Sequence, residues 1–438
     1  MRPPRRPLRP ADRHDVRPCP SRGRAALDIR TDQRPTGVSC TSSISSWWAS
    51  ARGKSRLARR ICGGLAADGF RSAIFNNGDV RRELLGAEST LPEFYSPDNA
   101  EGRRIREEIC RQNLIRAKEW LNREGDVAIL DATNVSRARR AFIERTLTDH
   151  PVLFLECVNE DPVLLNACIR NKTRLPEYAG YTEDEALASF VGRIGYYEAI
   201  YEPVGKEQYW LCVDTMSSRI LAEQPCEGSP YYPAIREIVV SWWVQSLYLA
   251  RHGQTEYNVQ GRIGGDPPLT AKGRMQAEAL ALHLRDQKLD WVFTSTRMRS
   301  HETAAPLLRG RHETRVMAFK EFDEIWAGDC EGMCYSEIRE TMPEITAGRN
   351  ADKYHYAYPH GESYAMLRER VRRGLQRALF LAGELPVMLM GHQAINRVIL
   401  SLFLRQREED IPYINVPQNQ YYHISLTPRR KLIERISY

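Results

Sequence analysis

The chain has no run of about 18 apolar residues, so none of its helices is expected to cross a membrane. None of its 10 cysteines forms a C-x-x-C pair, which argues against a zinc ribbon or a disulfide framework and for a reducing, cytoplasmic setting. No apolar stretch lies near its start, so no secretory leader is expected. The first fifty residues hold neither Lys nor Glu, yet they hold ten Arg and four Asp, a local charge of +6. Against an overall charge of +7, this leaves +1 for the rest of the chain. With no basic domain, nucleic acid is not an expected partner.

Residues 1–46 are rich in Arg, Pro and Ser and lack apolar periodicity, as a disordered tail would. The codons suggest a second reading. Trp47-Trp48-Ala49 must be encoded TGG TGG GCN, and from the third base this reads Val-Gly. With TCN serines around it, that frame gives apolar residues, Val-Gly and a further apolar residue, a buried strand entering a glycine loop. Residues 1–50 are therefore expected to be disordered or mistranslated, and the transcript tests which.

Gly53-Lys54-Ser55 is the end of the phosphate-loop pattern G-x-x-x-x-G-K-[ST], with Trp48 where the first glycine belongs. In such loops backbone N–H groups hold phosphates, Lys adds a point charge and the hydroxyl ligates Mg²⁺. A helix is expected from Ser55 to Asp68, with Leu57, Ile61 and Leu65 on one face. Strands are expected at 72–75, 127–131 and 152–156, the second ending in Asp131, where a nucleotide sheet reaches toward Mg²⁺. Alternating strands and helices imply a parallel α/β sheet. Arg81, Arg82, Arg103, Arg104, Arg106, Arg137, Arg139 and Arg140 follow strand ends and could clamp a sugar phosphate. Taken singly, each reads as part of a solvated helix face.

In the C-terminal half, Leu247-Tyr248-Leu249-Ala250 reads as a buried strand ending at Arg251-His252-Gly253. Imidazole is a good nucleophile at neutral pH, and an adjacent guanidinium holds phosphoryl oxygens. Further along, Phe293-Thr294-Ser295 ends a strand ahead of Arg299. Glu324 follows, and then a strand at 387–390 ends at Gly391-His392. Two histidines, two arginines and a glutamate make a full set for phosphoryl transfer through a phosphohistidine. His252 attacks, Arg251, Arg299 and His392 stabilise the transferring group, and Glu324 moves the proton. This chemistry requires no metal, and no metal-ligand cluster appears in this half.

That constellation is the mark of the histidine phosphatase and phosphoglycerate mutase superfamily, and the longer text is more specific. Segments 51–55 (ARGKS), 75–83 (FNNGDVRRE) and 131–134 (DATN) resemble 6-phosphofructo-2-kinase. Residues 251–256, Asn258 and 260–266, then 352–354, 358–359 and 361–364, then 391–394 with Arg397, resemble fructose-2,6-bisphosphatase, which that family carries fused in this order, with Ala357 where the family often has a basic residue.

The resemblance implies an α/β chain of two domains: a phosphate-loop nucleotide-binding parallel sheet, then a histidine phosphatase/phosphoglycerate mutase-like sheet. The kinase-like domain is expected over 51–216, a linker over 217–238 and the phosphatase domain over 239–438. ATP phosphates are implied at Arg52, Gly53, Lys54 and Ser55, with Mg²⁺ at Ser55 and Asp131. Fructose 6-phosphate is implied at Arg81, Arg106, Thr133, Arg139, Lys172, Arg193 and Tyr197. Fructose 2,6-bisphosphate is implied at Asn258, Gly264, Tyr335, Arg349, Lys353, Tyr364, Gln393 and Arg397. The family's Asn ahead of the matching lysine is replaced by Ala167, with Asn166 beside it. A homodimer is implied. A monofunctional phosphatase with a degenerate kinase half, and a non-catalytic sugar-phosphate sensor, are the alternatives.

Overall fold

The structure, a computed structural model, describes residues 38–41 and 52–438 except 87–91, 97, 174–177, 179, 405 and 428–429. Residues 36–438 pack as one unit. They contain two six-stranded sheets, one in each half.

The first sheet is built from β1 (Val38–Thr41), β2 (Ser72–Asn76), β3 (Val127–Asp131), β4 (Val152–Val158), β5 (Tyr209–Asp214) and β6 (Arg219–Gln224) in the order β2-β3-β1-β4-β5-β6. All neighbours are parallel except β5 and β6. The intervening helices are α1 (Lys54–Ala67), α2 (Asn77–Leu85), α3 (Ala100–Arg123), α4 (Arg137–Thr146), α5 (Pro162–Lys172) and α6 (Glu183–Ala199), with α7 (Tyr232–Val240) after β6. Strand β3 is apolar from Val127 to Leu130 because both its faces are covered, and it ends in Asp131. Val127 and Ile129 pack toward α1 and α7, whereas Ala128 and Leu130 pack toward α3 and α4.

Two expectations are corrected here. Val38–Thr41, inside the segment set apart as 1–50, pairs with β3 and β4 at the centre of the sheet, so the first strand is present. The Val-Gly frame at 45–50 and Trp48 lie outside the described residues. The span 217–238 is not a linker: β6 extends the sheet, and Cys226, Tyr231, Tyr232, Ile235 and Ile238 are buried in the same core as α1. Pro225, Gly228 and Pro230 mark the turn between β6 and α7, and Pro233 sits in the first turn of α7.

The second sheet is built from β7 (Val244–Arg251), β8 (Trp291–Thr294), β9 (Arg315–Ala318), β10 (Val387–Gly391), β11 (Gln420–Thr427) and β12 (Arg430–Ser437) in the order β12-β11-β7-β10-β8-β9. Strands β7, β10, β8 and β9 are parallel, and β11 and β12 form an antiparallel edge. Its helices are α8 (Glu256–Gln260), α9 (Ala271–His283), α10 (Met298–Leu308), α11 (Tyr335–Thr341), α12 (Pro343–Ala351), α13 (Tyr364–Ala382) and α14 (Gln393–Phe403). One face is covered by α13 and α14, the other by α9 and α10. Thr270 caps α9 as its sequence suggests, accepting from Gly273 N at 3.0 Å.

The halves meet where α13 packs against α5 and the start of α1. Arg377 of α13 pairs with Asp161 at 2.8 Å and also with Glu321. Asp161 in turn caps α5, accepting from Leu164 N at 3.0 Å.

Candidate active sites

In the N-terminal half, the parallel strands end together at a cavity of about 1280 Å³. All twelve residues expected there line it: Arg52, Gly53, Lys54, Ser55, Arg81, Arg106, Asp131, Thr133, Arg139, Lys172, Arg193 and Tyr197. Gly53, at φ +88, turns the chain into α1, a conformation that glycine adopts without steric cost. Lys54 Nζ then lies 3.3 Å from Thr133 Oγ1 and 3.9 Å from Asp131 Oδ1.

Asp131 sits at the end of β3 with its carboxylate buried. Its Oδ2 accepts from Asn76 Nδ2 at 2.6 Å. The Oδ1 of that Asn76 caps α2, accepting from Gly78 N at 2.7 Å. One asparagine thereby fixes both the carboxylate and the helix that carries Arg81. Tyr95 does comparable work for the cations. Arg81 donates to its hydroxyl, and the Arg193 guanidinium lies 4.3 Å, and that of Arg106 5.7 Å, from its ring centre. The Lys172 ammonium is pushed below the usual lysine range by burial and then by Lys54 and Arg193. From α5, Cys168 and Asn171 reach the cavity beside Lys172, whereas Asn166 and Ala167 do not. Arg140 is structural: fully buried, it pairs with Glu207 at 2.5 Å and donates to the carbonyls of Asn134, Val135 and Pro203.

In the C-terminal half, β7 and β10 lie side by side and deliver Arg251-His252 and Gly391-His392 to one edge. The two imidazoles are buried, with ring centres 5.1 Å apart. His252 Nδ1 donates to Gly253 O at 2.8 Å, which leaves Nε2 unengaged among the described residues. Burial, and then Arg251 and Arg299, hold His252 well below the usual histidine range, so it is neutral at physiological pH. Burial also pushes Arg251 down to about 10, where it keeps its charge at neutrality.

His392 is depressed by burial and then by Arg299, with smaller contributions from His252 and Arg251. Its Nδ1 accepts from Arg299 Nε at 3.2 Å, so its Nε2 carries the proton and donates to Ser295 Oγ at 2.7 Å. Arg299 Nη1 donates to Gly265 O at 2.6 Å, beside Gly264. Glu324 lies against the start of α14. Its Oε2 accepts from Gln393 N at 3.0 Å, and its Oε1 accepts from Ala394 N and Ile325 N, each at 3.1 Å.

The residues expected to take the sugar surround this edge. Arg397 donates to Tyr364 OH at 3.1 Å, and Arg349 lies over the rings of Tyr358 and Tyr335 at 4.8 and 5.8 Å. Lys353, over Tyr413 at 4.4 Å, is lowered to about 8 by burial and then by Arg349 and Arg397. Asn258 Oδ1 accepts at 2.8 Å from Gln418 Nε2, which also reaches His252 O at 3.3 Å.

Residues 49–220 match the family model of 6-phosphofructo-2-kinase, and residues 247–438 match that of the histidine phosphatase superfamily, branch 1. The chain is 34% identical to 6-phosphofructo-2-kinase/fructose-2,6-bisphosphatase of Gallus gallus, over 86% of this chain and 80% of that protein. It is 32% identical to the Caenorhabditis elegans protein of that name, over 86% and 84%. It is 33% identical to the Homo sapiens protein named 6-phosphofructo-2-kinase/fructose-2,6-bisphosphatase 3, over 86% and 73%.

The chain belongs to the 6-phosphofructo-2-kinase/fructose-2,6-bisphosphatase family. Both halves of the family are present in its usual order. In the kinase half, sequence reasoning missed Asn76 and Tyr95 as positioning groups. In the phosphatase half it assigned no role to Ser295 or Gln418. Ser295 had a signal, a hydroxyl at a strand end beside the site. Gln418 had none, because it reaches the site from a loop before β11.

Proposed function

We propose that this chain both makes and removes fructose 2,6-bisphosphate, using ATP and fructose 6-phosphate in the kinase half. The observation that carries the phosphatase reading is His252: buried, neutral, held by Nδ1 and presenting Nε2 beside Arg251 and Arg299. In this reading Nε2 attacks the 2-phosphoryl group as the bond to the sugar oxygen breaks. Arg251 and Arg299 take the charge of the transferring oxygens. His392 acts through Arg299, since its two ring nitrogens are engaged by Arg299 and Ser295.

The leaving oxygen takes a proton from Glu324. Oε1 already accepts two N–H groups and Oε2 only one, so the exchangeable proton belongs on Oε2. Water then attacks the phosphohistidine, giving its proton back to that oxygen as the N–P bond breaks. Asn258, Gly264, Tyr335, Arg349, Lys353, Tyr364, Gln393 and Arg397 are the proposed sugar and 6-phosphate contacts.

In the kinase half, Arg52, Gly53, Lys54 and Ser55 are the proposed ATP contacts. The arginine cluster on Tyr95, with Thr133, Arg139, Lys172 and Tyr197, is proposed for fructose 6-phosphate. Asp131 Oδ1 has no hydrogen-bond partner among the described residues. With the Ser55 hydroxyl it forms an oxygen donor set that suits Mg²⁺, which when bound would neutralise triphosphate charge. A homodimer in the cytoplasm is proposed from the resemblance. The eight cysteines described as free thiols are in keeping with that compartment.

The test is ATP-dependent formation of fructose 2,6-bisphosphate by this chain carrying His252→Ala, which blocks the reverse loss. Product is expected. No product, with phosphatase activity intact in the unaltered chain, would leave a monofunctional phosphatase.

A further inference from the structure

The cavity in the kinase half is not walled by that half alone. Its lining includes Phe380, Ala382, Glu384 and Leu385, all from the C-terminal end of α13 or the turn after it in the phosphatase half. The contact begins at the phosphate loop itself. A Cβ built on Gly53 would come within 2.9 Å of Phe380 Cε2. Arg56 follows Ser55 directly, in the first turn of α1, and points across to α13. Arg56 stacks on Phe380 with its guanidinium 5.0 Å from the ring centre, and it donates to the carbonyl of Leu379. Gly383 brings the following turn close to Arg56 Nε, which would lie 3.6 Å from a Cβ there.

We propose that Phe380 of the phosphatase half is a positioning residue for the nucleotide of the kinase half, forming the wall against which the apolar base of ATP packs. This rests on the reading of Gly53, Lys54 and Ser55 as the ATP phosphate site. The sugar-phosphate end of the cavity is crowded with Arg81, Arg106, Arg139, Lys172 and Arg193, which suit anionic oxygens. The lining from α13 and the turn after it brings apolar Phe380, Leu381 and Leu385 beside Arg56, Arg59 and Glu384, and a purine needs such an apolar surface with a few polar groups around it. Phe380 is buried, 7% exposed, but it lies outside the large apolar cluster under α13 and α14, and the groups around its ring are Gly53 and Arg56 of the kinase half.

The consequence is that the two activities share a wall: α13 carries Phe380 at its end and Tyr364, a proposed sugar contact, at its start. The experiment is equilibrium binding of ATP and, separately, of fructose 6-phosphate to the full chain and to its Phe380→Ala and Phe380→Leu variants. Thermal unfolding and phosphatase turnover serve as folding controls. Loss of an aromatic contact is expected to weaken ATP about tenfold in Phe380→Ala. Fructose 6-phosphate affinity should hold, and Phe380→Leu should recover most of the loss. ATP affinity unchanged in Phe380→Ala would overturn the inference while leaving the kinase reading standing. Equal loss of both ligands with a lowered Tm would overturn it too, by making Phe380 mere interface packing. No ATP binding by the unaltered chain would overturn both.

Discussion

Arg299 donates its Nε–H to Nδ1 of His392 across 3.2 Å, and that bond sets the tautomer of a buried imidazole whose other nitrogen rests on Ser295 Oγ at 2.7 Å. A hydroxyl outside the charged set thus aligns, through neutral His392, the guanidinium of Arg299. Ser295→Ala removes one neutral hydrogen bond worth about 1 kcal/mol, so phosphatase kcat is expected to fall about fivefold with KM little changed. His392→Ala removes the partner of both neighbours and is expected to cost about a hundredfold or more in kcat. Steady-state hydrolysis of fructose 2,6-bisphosphate checks both. Equal losses in the two variants would contradict the ordering.

Lys353 gives the phosphatase half an alkaline limb. Its ammonium is lowered to about 8 by burial first and by Arg349 and Arg397 next. It is therefore charged below pH 8 and loses its charge as pH rises through that value, whereas substrate phosphates are fully ionised there. KM is expected to rise above pH 8 in the unaltered protein. Lys353→Met should start with a higher KM and show no such rise.

At the acid end, His252 and His392 are both buried neutral, with pKa values below that of the unfolded chain. Their contribution to stability is fully present above about pH 6.5, the unfolded value, and is lost as pH falls below it, because only the unfolded state takes up the protons. Urea unfolding at pH 7.5 and pH 5.5 should show the phosphatase half weaker at the lower pH. His252→Gln should reduce that difference.

Much of this was legible because parallel strands advertise their ends. A short apolar run that stops at Arg-His-Gly, Asp-Ala-Thr-Asn or Gly-His-Gln puts its polar residues at the sheet edge whatever the rest of the fold does. The caps were legible too, as with Thr270. What escaped was of two kinds. Asn76, Tyr95 and Gln418 act on functional side chains from elsewhere in the chain, and no spacing reveals such contacts. The strands β1 and β6 were missed for a different reason. β1 is four residues with Ser and Thr beside Val and Cys, lying in an Arg- and Pro-rich stretch. β6 is exposed along most of its length at a sheet edge, so neither carries the apolar run that marks β3 or β10.

The place of β1 has its own consequence. Val38–Thr41 pairs on both sides, with β3 and β4. Deleting residues 1–50 would split the kinase sheet at its centre. Loss of ATP binding and of one thermal transition is expected, with phosphatase turnover retained. Full ATP binding by the shortened chain would show that this strand is dispensable and return attention to the transcript.

The central claim is that His252 carries the phosphoryl group. The direct measurement is to mix the chain with fructose 2,6-bisphosphate radiolabelled in its 2-phosphate, quench rapidly in alkali, where phosphohistidine survives, and locate the label by peptide mapping. The account predicts label on His252 that forms and decays within a turnover and is absent from His252→Ala. Hydrolysis that continues in that variant, or label carried by any other residue, would contradict it.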